Sequence, residues 1–240
     1  MSTQWREFRL ALGAFTRLGH SALQPGAGSA DAGSALRFLP LVGVVVGLVA
    51  AFTYWLSSLL WPSSIAVVLS MLATVWLTEG RHELGLARLG EQRTSDTKPT
   101  LTGLGFGVPV MLLFLLLKFD ALMALSAAKL PLPLPANAGL GIIMIAGQAA
   151  SRALLVSVLA TQPVASGRAN PPRLSTGALS FALLTGFLPA TILGVPGLIG
   201  LAVAIVIRLL ASQRAVASEA TQQLTELGFY LGALAAWSYI

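Results

Sequence analysis

The chain has 240 residues, of which 55% are apolar and only 10% charged, with 15 Lys and Arg against 9 Asp and Glu. Soluble domains carry roughly 25% charged residues, so this chain cannot clothe a water-facing surface, and its mean hydropathy of +0.80 excludes intrinsic disorder as well. Without cysteine it has no disulfide framework, thiolate metal site or cysteine nucleophile.

The expected fold is therefore all-α, a polytopic transmembrane helical bundle forming one integral membrane domain over residues 1–240, with the lipid bilayer as its first partner. The sequence pI near 10.5 does not indicate nucleic acid, because the basic residues are scattered rather than gathered in a stripe. In a membrane protein such residues encode orientation.

In chain order, Trp5, Phe8, Leu12, Phe15 and Leu18 recur at steps of three and four with Arg6, Arg9 and Arg17 between them, which predicts an N-terminal amphipathic helix at the headgroups. The stretch lacks the uninterrupted apolar core and small-residue cleavage site of a signal peptide. Residues 20–33 read as a Gly-rich loop. Phe38 to Trp61 predicts a first span, broken at Trp61-Pro62, and Ser64 to Thr78 a short second one bordered by tryptophans.

Glu79 to Thr100 reads as a charged loop. Leu101 to Ala128 is the third span and Asn137 to Ala160 the fourth, with a Pro-punctuated connector between them. The apolar run from Thr176 to Leu210 exceeds one crossing and is expected to divide at Gly194-Val195-Pro196-Gly197, and a last helix covers Leu224 to Ile240. That makes about seven membrane helices besides the amphipathic one. Arg6, Arg9, Arg17, Arg37, Arg81, Arg88, Arg93, Lys98, Arg168, Arg173, Arg208 and Arg214 then share one side and Lys129 the other. The expected topology is a multi-pass membrane protein with its N-terminus and residues 79–100 in the cytoplasm.

Those residues hold Glu79, His82, Glu83, Glu91 and Asp96. Carboxylates at a membrane boundary can hold Mg²⁺, which prefers oxygen ligands and bridges to phosphate. Were the stretch helical, Glu79, His82 and Glu83 would share a face at i, i+3 and i+4. The same acids could instead pair with the interleaved Arg81, Arg88, Arg93 and Lys98 as a solvated surface. Lys118 and Arg152 fall within spans, where a charge costs roughly 2.5–3.5 kcal/mol at the helix centre. Each either contacts an anion in a cavity or snorkels to the headgroups.

Several stretches together resemble the cobalamin synthases, the adenosylcobinamide-GDP ribazoletransferases. LALGAFTRL and RFLPLVGVVVGL are similar to that family's opening and its R-x-FPLVG-x-x-x-G signature. TEGRHELGLARLGEQ resembles its acidic motif, T-G-G-x-H-x-D-G-L-A-D-x-x-D-G. FGVPVMLLFLLLKFDAL, SRALLVSVLATQPVA and ATQQLTELGFYLGAL resemble later family segments in the same order. Of the motif's aspartates, Glu91 stands for the last, while Leu84 and Arg88 replace the other two; Val216 stands for another near the final helix.

The resemblance implies a Mg²⁺-dependent membrane transferase that joins α-ribazole to adenosylcobinamide-GDP and releases GMP late in adenosylcobalamin biosynthesis, alongside other cobalamin-pathway enzymes. It implies His82 as catalytic base or orienting group, Glu91, Glu83 and Glu79 as metal ligands, and Lys118 and Arg152 as phosphate contacts. The lost aspartates leave two alternatives: a non-catalytic relative that binds a corrinoid or a pathway partner, and an unrelated membrane transporter.

Overall fold

In the computed structural model, residues 3–19, 34–92, 105–127, 138–161, 174–213 and 216–238 are described, and these are helical with short connections. The N-terminal helix α1 (Thr3–Phe15) turns Glu7, Ala11 and Gly13 inward and half-buries Phe8, Leu12 and Phe15, but leaves Trp5, which the periodicity places on the same apolar stripe, outside with Arg6 and Arg9. Glu7 is tied to Arg37, just ahead of the next helix, at 2.6 Å.

Helix α2 (Leu39–Ser58) carries Pro40 in its first turn, where a missing N–H costs nothing. Its Gly43 and Gly47, four apart, let the backbone of α6 (Ala138–Thr161) approach; a Cβ at Gly47 would lie 2.5 Å from Ile145 Cα. Close approach through small residues holds helices together where lipid removes the hydrophobic drive. Helix α6 is thus the central post, packed on α2, on α7 (Thr176–Ile192) and on α9 (Ser218–Trp237).

Helix α3 (Ser63–Leu77) ends at an elbow. Glu79 and Gly80 both take left-handed φ, 59° and 64°, and the chain leaves at 88° as α4 (Arg81–Gln92). The expected charged loop is therefore a helix over its first half; residues 93–100 lie outside the described residues, as do His20, Lys129, Arg168, Arg173 and Arg214. Helix α4 packs on α5 (Gly107–Ser126) and α9.

The divide in the long apolar run falls at Leu193-Gly194, where Gly194 takes φ 63°, and Pro196 sits in the first turn of α8 (Val195–Gln213) rather than in the break. Arg208 ties α8 to α6 by donating from Nε to Ser157 Oγ at 3.0 Å and from Nη2 to its carbonyl at 3.1 Å.

Leu113, Leu184 and Leu188 are among the large apolar side chains that stand 65–73% exposed, a surface suited to acyl chains rather than water. Among the described residues four helices, Leu39–Ser58, Gly107–Ser126, Ala138–Ala160 and Val195–Gln213, are long and apolar enough to cross a membrane, or five if α3 and α4 count as one bent span. The expected seven is not reached: α7 is apolar but only 17 residues long. Helix α9 begins six residues earlier than expected, because the polar residues Thr221, Gln222 and Gln223 face the interior, not a loop.

Candidate functional site

The polar interior lies at the elbow. Helix α4 is polar along one side and Gly-studded along the other, so it lies against the bundle instead of traversing it. Its Gly85 rests on α9, where a Cβ would fall 2.6 Å from Glu219 Cβ and 2.9 Å from the Ala220 nitrogen. That close seat directs the adjoining His82 and Glu83 inward, where they are 4% and 7% exposed. Lys118 comes from α5, Gln148 and Arg152 from α6, and Gln222, Gln223, Glu226 and Tyr230 from α9, all buried.

Seven of these side chains, all but His82 and Gln222, form one relay. Arg152 Nη1 donates to Gln148 Oε1, and Gln148 Nε2 donates to Glu226 Oε1 at 2.7 Å. Glu226 Oε1 also meets Lys118 Nζ at 2.7 Å and accepts from the Tyr230 hydroxyl at 3.0 Å. Lys118 Nζ donates to Gln223 Oε1 at 3.3 Å, and Gln223 Nε2 donates to Glu83 Oε1 at 2.7 Å. Gln148 and Gln223 thus each present the oxygen to a cation and the nitrogen to a carboxylate, the only sense in which the amide satisfies both. Two cations and two carboxylates leave the network balanced, which is what lets it persist away from water.

Around it lies a small cavity of about 10 Å³, lined by Thr78, His82, Glu83, Lys118, Arg152 and Gln222, with Val46, Thr74, Gln148, Gln223 and Glu226 completing the wall. Five buried polar atoms there lack a hydrogen-bond partner: His82 Nδ1, Glu83 Oε2, Arg152 Nε, and both Gln222 Nε2 and Oε1. Since buried polar groups are normally paired, they mark where a ligand or water belongs. His82, outside the spanning segments, has its pKa lowered from 6.5 to about 3 by burial, and further by Arg152, Lys118 and Arg81, so it is held neutral.

The sequence-derived candidates separate into two groups. His82, Glu83, Lys118 and Arg152 meet in the cavity. Glu79 and Glu91 do not: Glu79 pairs with Arg81 at 2.8 Å, and Glu91 is exposed beside Gly105. Leu84, Arg88 and Glu91, which stand at the acidic motif's aspartate positions, run along the outer face of α4 at i, i+4 and i+7. No three His, Asp or Glu side chains gather to hold a metal ion among the described residues, so the expected Glu79–Glu83–Glu91 ligand set for Mg²⁺ does not fit this geometry. Lys118 does not snorkel, and Asp120, two residues on, is exposed on another face. Its buried mate is Glu226. Sequence reasoning passed over Glu226, although an acid set among Leu224, Leu227 and Phe229 was a signal of an intramembrane partner.

The architecture and site define a polytopic helical membrane protein with a charge-balanced polar centre buried where a broken helix pair meets the bundle. Comparison with known proteins narrows that class. A family described as cobalamin-5-phosphate synthase matches residues 7–95. An adenosylcobinamide-GDP ribazoletransferase of Ralstonia nicotianae is 35% identical over 198 residues, covering 77% of this chain and 73% of that one. Another, of Shewanella amazonensis, is 39% identical over 138 residues, 52% of each chain, and one from Leptothrix cholodnii is 63% identical over 51 residues, 21% of this chain and 19% of its own. The chain belongs to the cobalamin synthase family. Its alignments with the first two relatives span from about half, 52%, to about three quarters, 73%, of their length. No solved structure matches.

Proposed function

We propose that this protein is an adenosylcobinamide-GDP ribazoletransferase acting from the cytoplasmic side of a bacterial inner membrane, with its N-terminus in the cytoplasm. The observation that carries this reading is the buried cavity in which the family-like His82, Lys118 and Arg152 meet Glu83 and leave polar atoms unpartnered. An α-ribazole hydroxyl attacks the phosphoryl group of adenosylcobinamide-GDP that bears the corrinoid. The new O–P bond forms as the bond to GMP breaks, and the hydroxyl proton leaves to a neighbouring acceptor.

Arg152 and Lys118 carry the charge that accumulates on the phosphoryl oxygens. His82, with its pKa near 3, serves as a neutral hydrogen-bonding group that orients the hydroxyl, and the free Glu83 Oε2 beside it is the acceptor for the proton. No step is assigned to Mg²⁺, since the carboxylates expected to hold it are dispersed.

Membranes containing the protein should release GMP from adenosylcobinamide-GDP only when α-ribazole is present, measured with added Mg²⁺ and again with EDTA. Absence of GMP under every condition, with the corrinoid still bound, would favour the second reading: a non-catalytic relative. That alternative draws support from Leu84 and Arg88, which leave Glu91 as the one acid on the outer face of α4.

A further inference from the structure

Gln222 is the most unusual polar residue of the cavity. It is 1% exposed, and neither atom of its side-chain amide has a partner. The two other cavity glutamines are consumed at both ends by the ion-pair relay. Leaving a buried donor or acceptor unsatisfied costs about 1–3 kcal/mol, so an idle amide persists where something binds it. The surrounding idle atoms are one donor, Arg152 Nε, one acceptor, Glu83 Oε2, and His82 Nδ1, which serves as either according to tautomer.

An amide edge presents a donor and an acceptor side by side in one plane. Its complement is a pair of neighbouring groups of which one gives and one takes a hydrogen bond, and two vicinal hydroxyls on a sugar ring meet that demand. A phosphate does not, because it offers acceptors alone. The other unpartnered atoms of the same cavity wall suit the same ligand: Glu83 Oε2 accepts from one hydroxyl while Arg152 Nε donates to the other.

We propose that Gln222 is a specificity-determining residue that grips a ribosyl cis-diol, its Oε1 accepting from one hydroxyl and its Nε2 donating to the next. This deepens the transferase reading and rests on it for the identity of the ribosyl compound, α-ribazole. The grip also brings the reacting hydroxyl within reach of Glu83 and Arg152. The competing occupant is a single ordered water, which the cavity of about 10 Å³ has room for as it stands and which fills such sites when two to four polar partners surround it.

The test compares α-ribazole with the deoxy analogue that lacks the hydroxyl adjacent to the reacting one, using wild type, Gln222→Met and Gln222→Glu. Wild type should prefer α-ribazole by on the order of 10²-fold or more in kcat/KM, since sites built to bond a hydroxyl reject its absence strongly. Gln222→Met should bring the two nucleosides to within about tenfold of each other, with KM for adenosylcobinamide-GDP unchanged, while Gln222→Glu, keeping one acceptor, falls between. Thermal shifts of the detergent-purified protein with each nucleoside should follow the same order and do not depend on turnover.

GMP release with the wild-type preference intact in Gln222→Met overturns the assignment and leaves the transferase reading standing; the same holds if Gln222→Met lowers only the melting temperature, as loss of a water site would. Ribazole-induced shifts that depend on Gln222 in a protein releasing no GMP uphold the assignment and overturn the transferase reading. A wild type whose melting point α-ribazole does not move overturns the assignment directly.

Discussion

Glu226→Leu should be among the most damaging single changes available in this protein. Glu226 Oε1 receives Lys118 Nζ at 2.7 Å, Gln148 Nε2 at 2.7 Å and the Tyr230 hydroxyl at 3.0 Å, and the side chains of the ion pair are 6% and 1% exposed. Leucine removes the shared acceptor and strands a buried ammonium. Breaking one partner of such a pair costs about 3–5 kcal/mol. At about 2–4 °C per kcal/mol for a chain of this size, the melting temperature in detergent, followed by tryptophan fluorescence, should fall by roughly 6–20 °C. Replacing both charges, Lys118→Met with Glu226→Leu, should recover most of the loss, because an apolar pair of similar volume often matches a buried ion pair. A single variant that melts within about 1 kcal/mol of wild type, or a double variant as unstable as the sum of the two singles, would refute the buried network.

Gly85→Val should cost about 1–3 kcal/mol, as overpacking does, and lower activity with it, since its Cβ would fall 2.6 Å from Glu219 Cβ and push α4 with His82 and Glu83 off α9; a thermal melt and a GMP assay read both. Glu79→Gly should leave stability unchanged or raise it by up to about 1 kcal/mol, because a left-handed φ of 59° is strained for a side chain and free for glycine; a drop above about 1 kcal/mol would assign its exposed pair with Arg81 more weight than geometry gives it. The His82 contribution should appear as stability constant above pH 6.5 and falling as pH drops toward about 3, because the unfolded chain takes the proton first. His82→Gln should flatten that slope in melts run from pH 7 to 4.

Much of the fold is legible in the sequence because each span is a run of apolar residues punctuated by Pro or Gly, as at Pro62 and Gly194. What escaped it is where polarity points inward. Residues 81–92 read as a loop because Arg81, Glu83, Arg88 and Glu91 suggest water, yet a two-sided helix can keep Arg88 and Glu91 outside while burying His82 and Glu83. The start of α9 was missed for the same reason, its glutamines facing the relay rather than solvent. Lys118, Arg152, His82 and Glu83 were legible singly as charges or imidazole in costly places. Their convergence was not, because it depends on the 88° elbow and on contacts 105 and 140 residues apart in sequence, Lys118 with Gln223 and Gln223 with Glu83. The three carboxylates do not converge because eight residues of helix carry Glu91 about 12 Å along α4 from Glu83, and the elbow spends Glu79 on the turn.

The central claim is that chemistry resides in the buried cavity and not along the outer face of α4. It is tested most directly by GMP release from adenosylcobinamide-GDP and α-ribazole in membranes carrying wild type, Glu83→Gln or Glu91→Gln at matched protein levels. Glu83→Gln keeps the hydrogen-bonding shape that Gln223 meets at 2.7 Å but removes the free carboxylate oxygen, so release should fall by about 10²-fold or more. Glu91→Gln, altering an exposed side chain outside the cavity, should stay within about threefold of wild type. The reverse pattern, with Glu91→Gln silent and Glu83→Gln active, would contradict the buried site and move the reaction to the outer face of the helix.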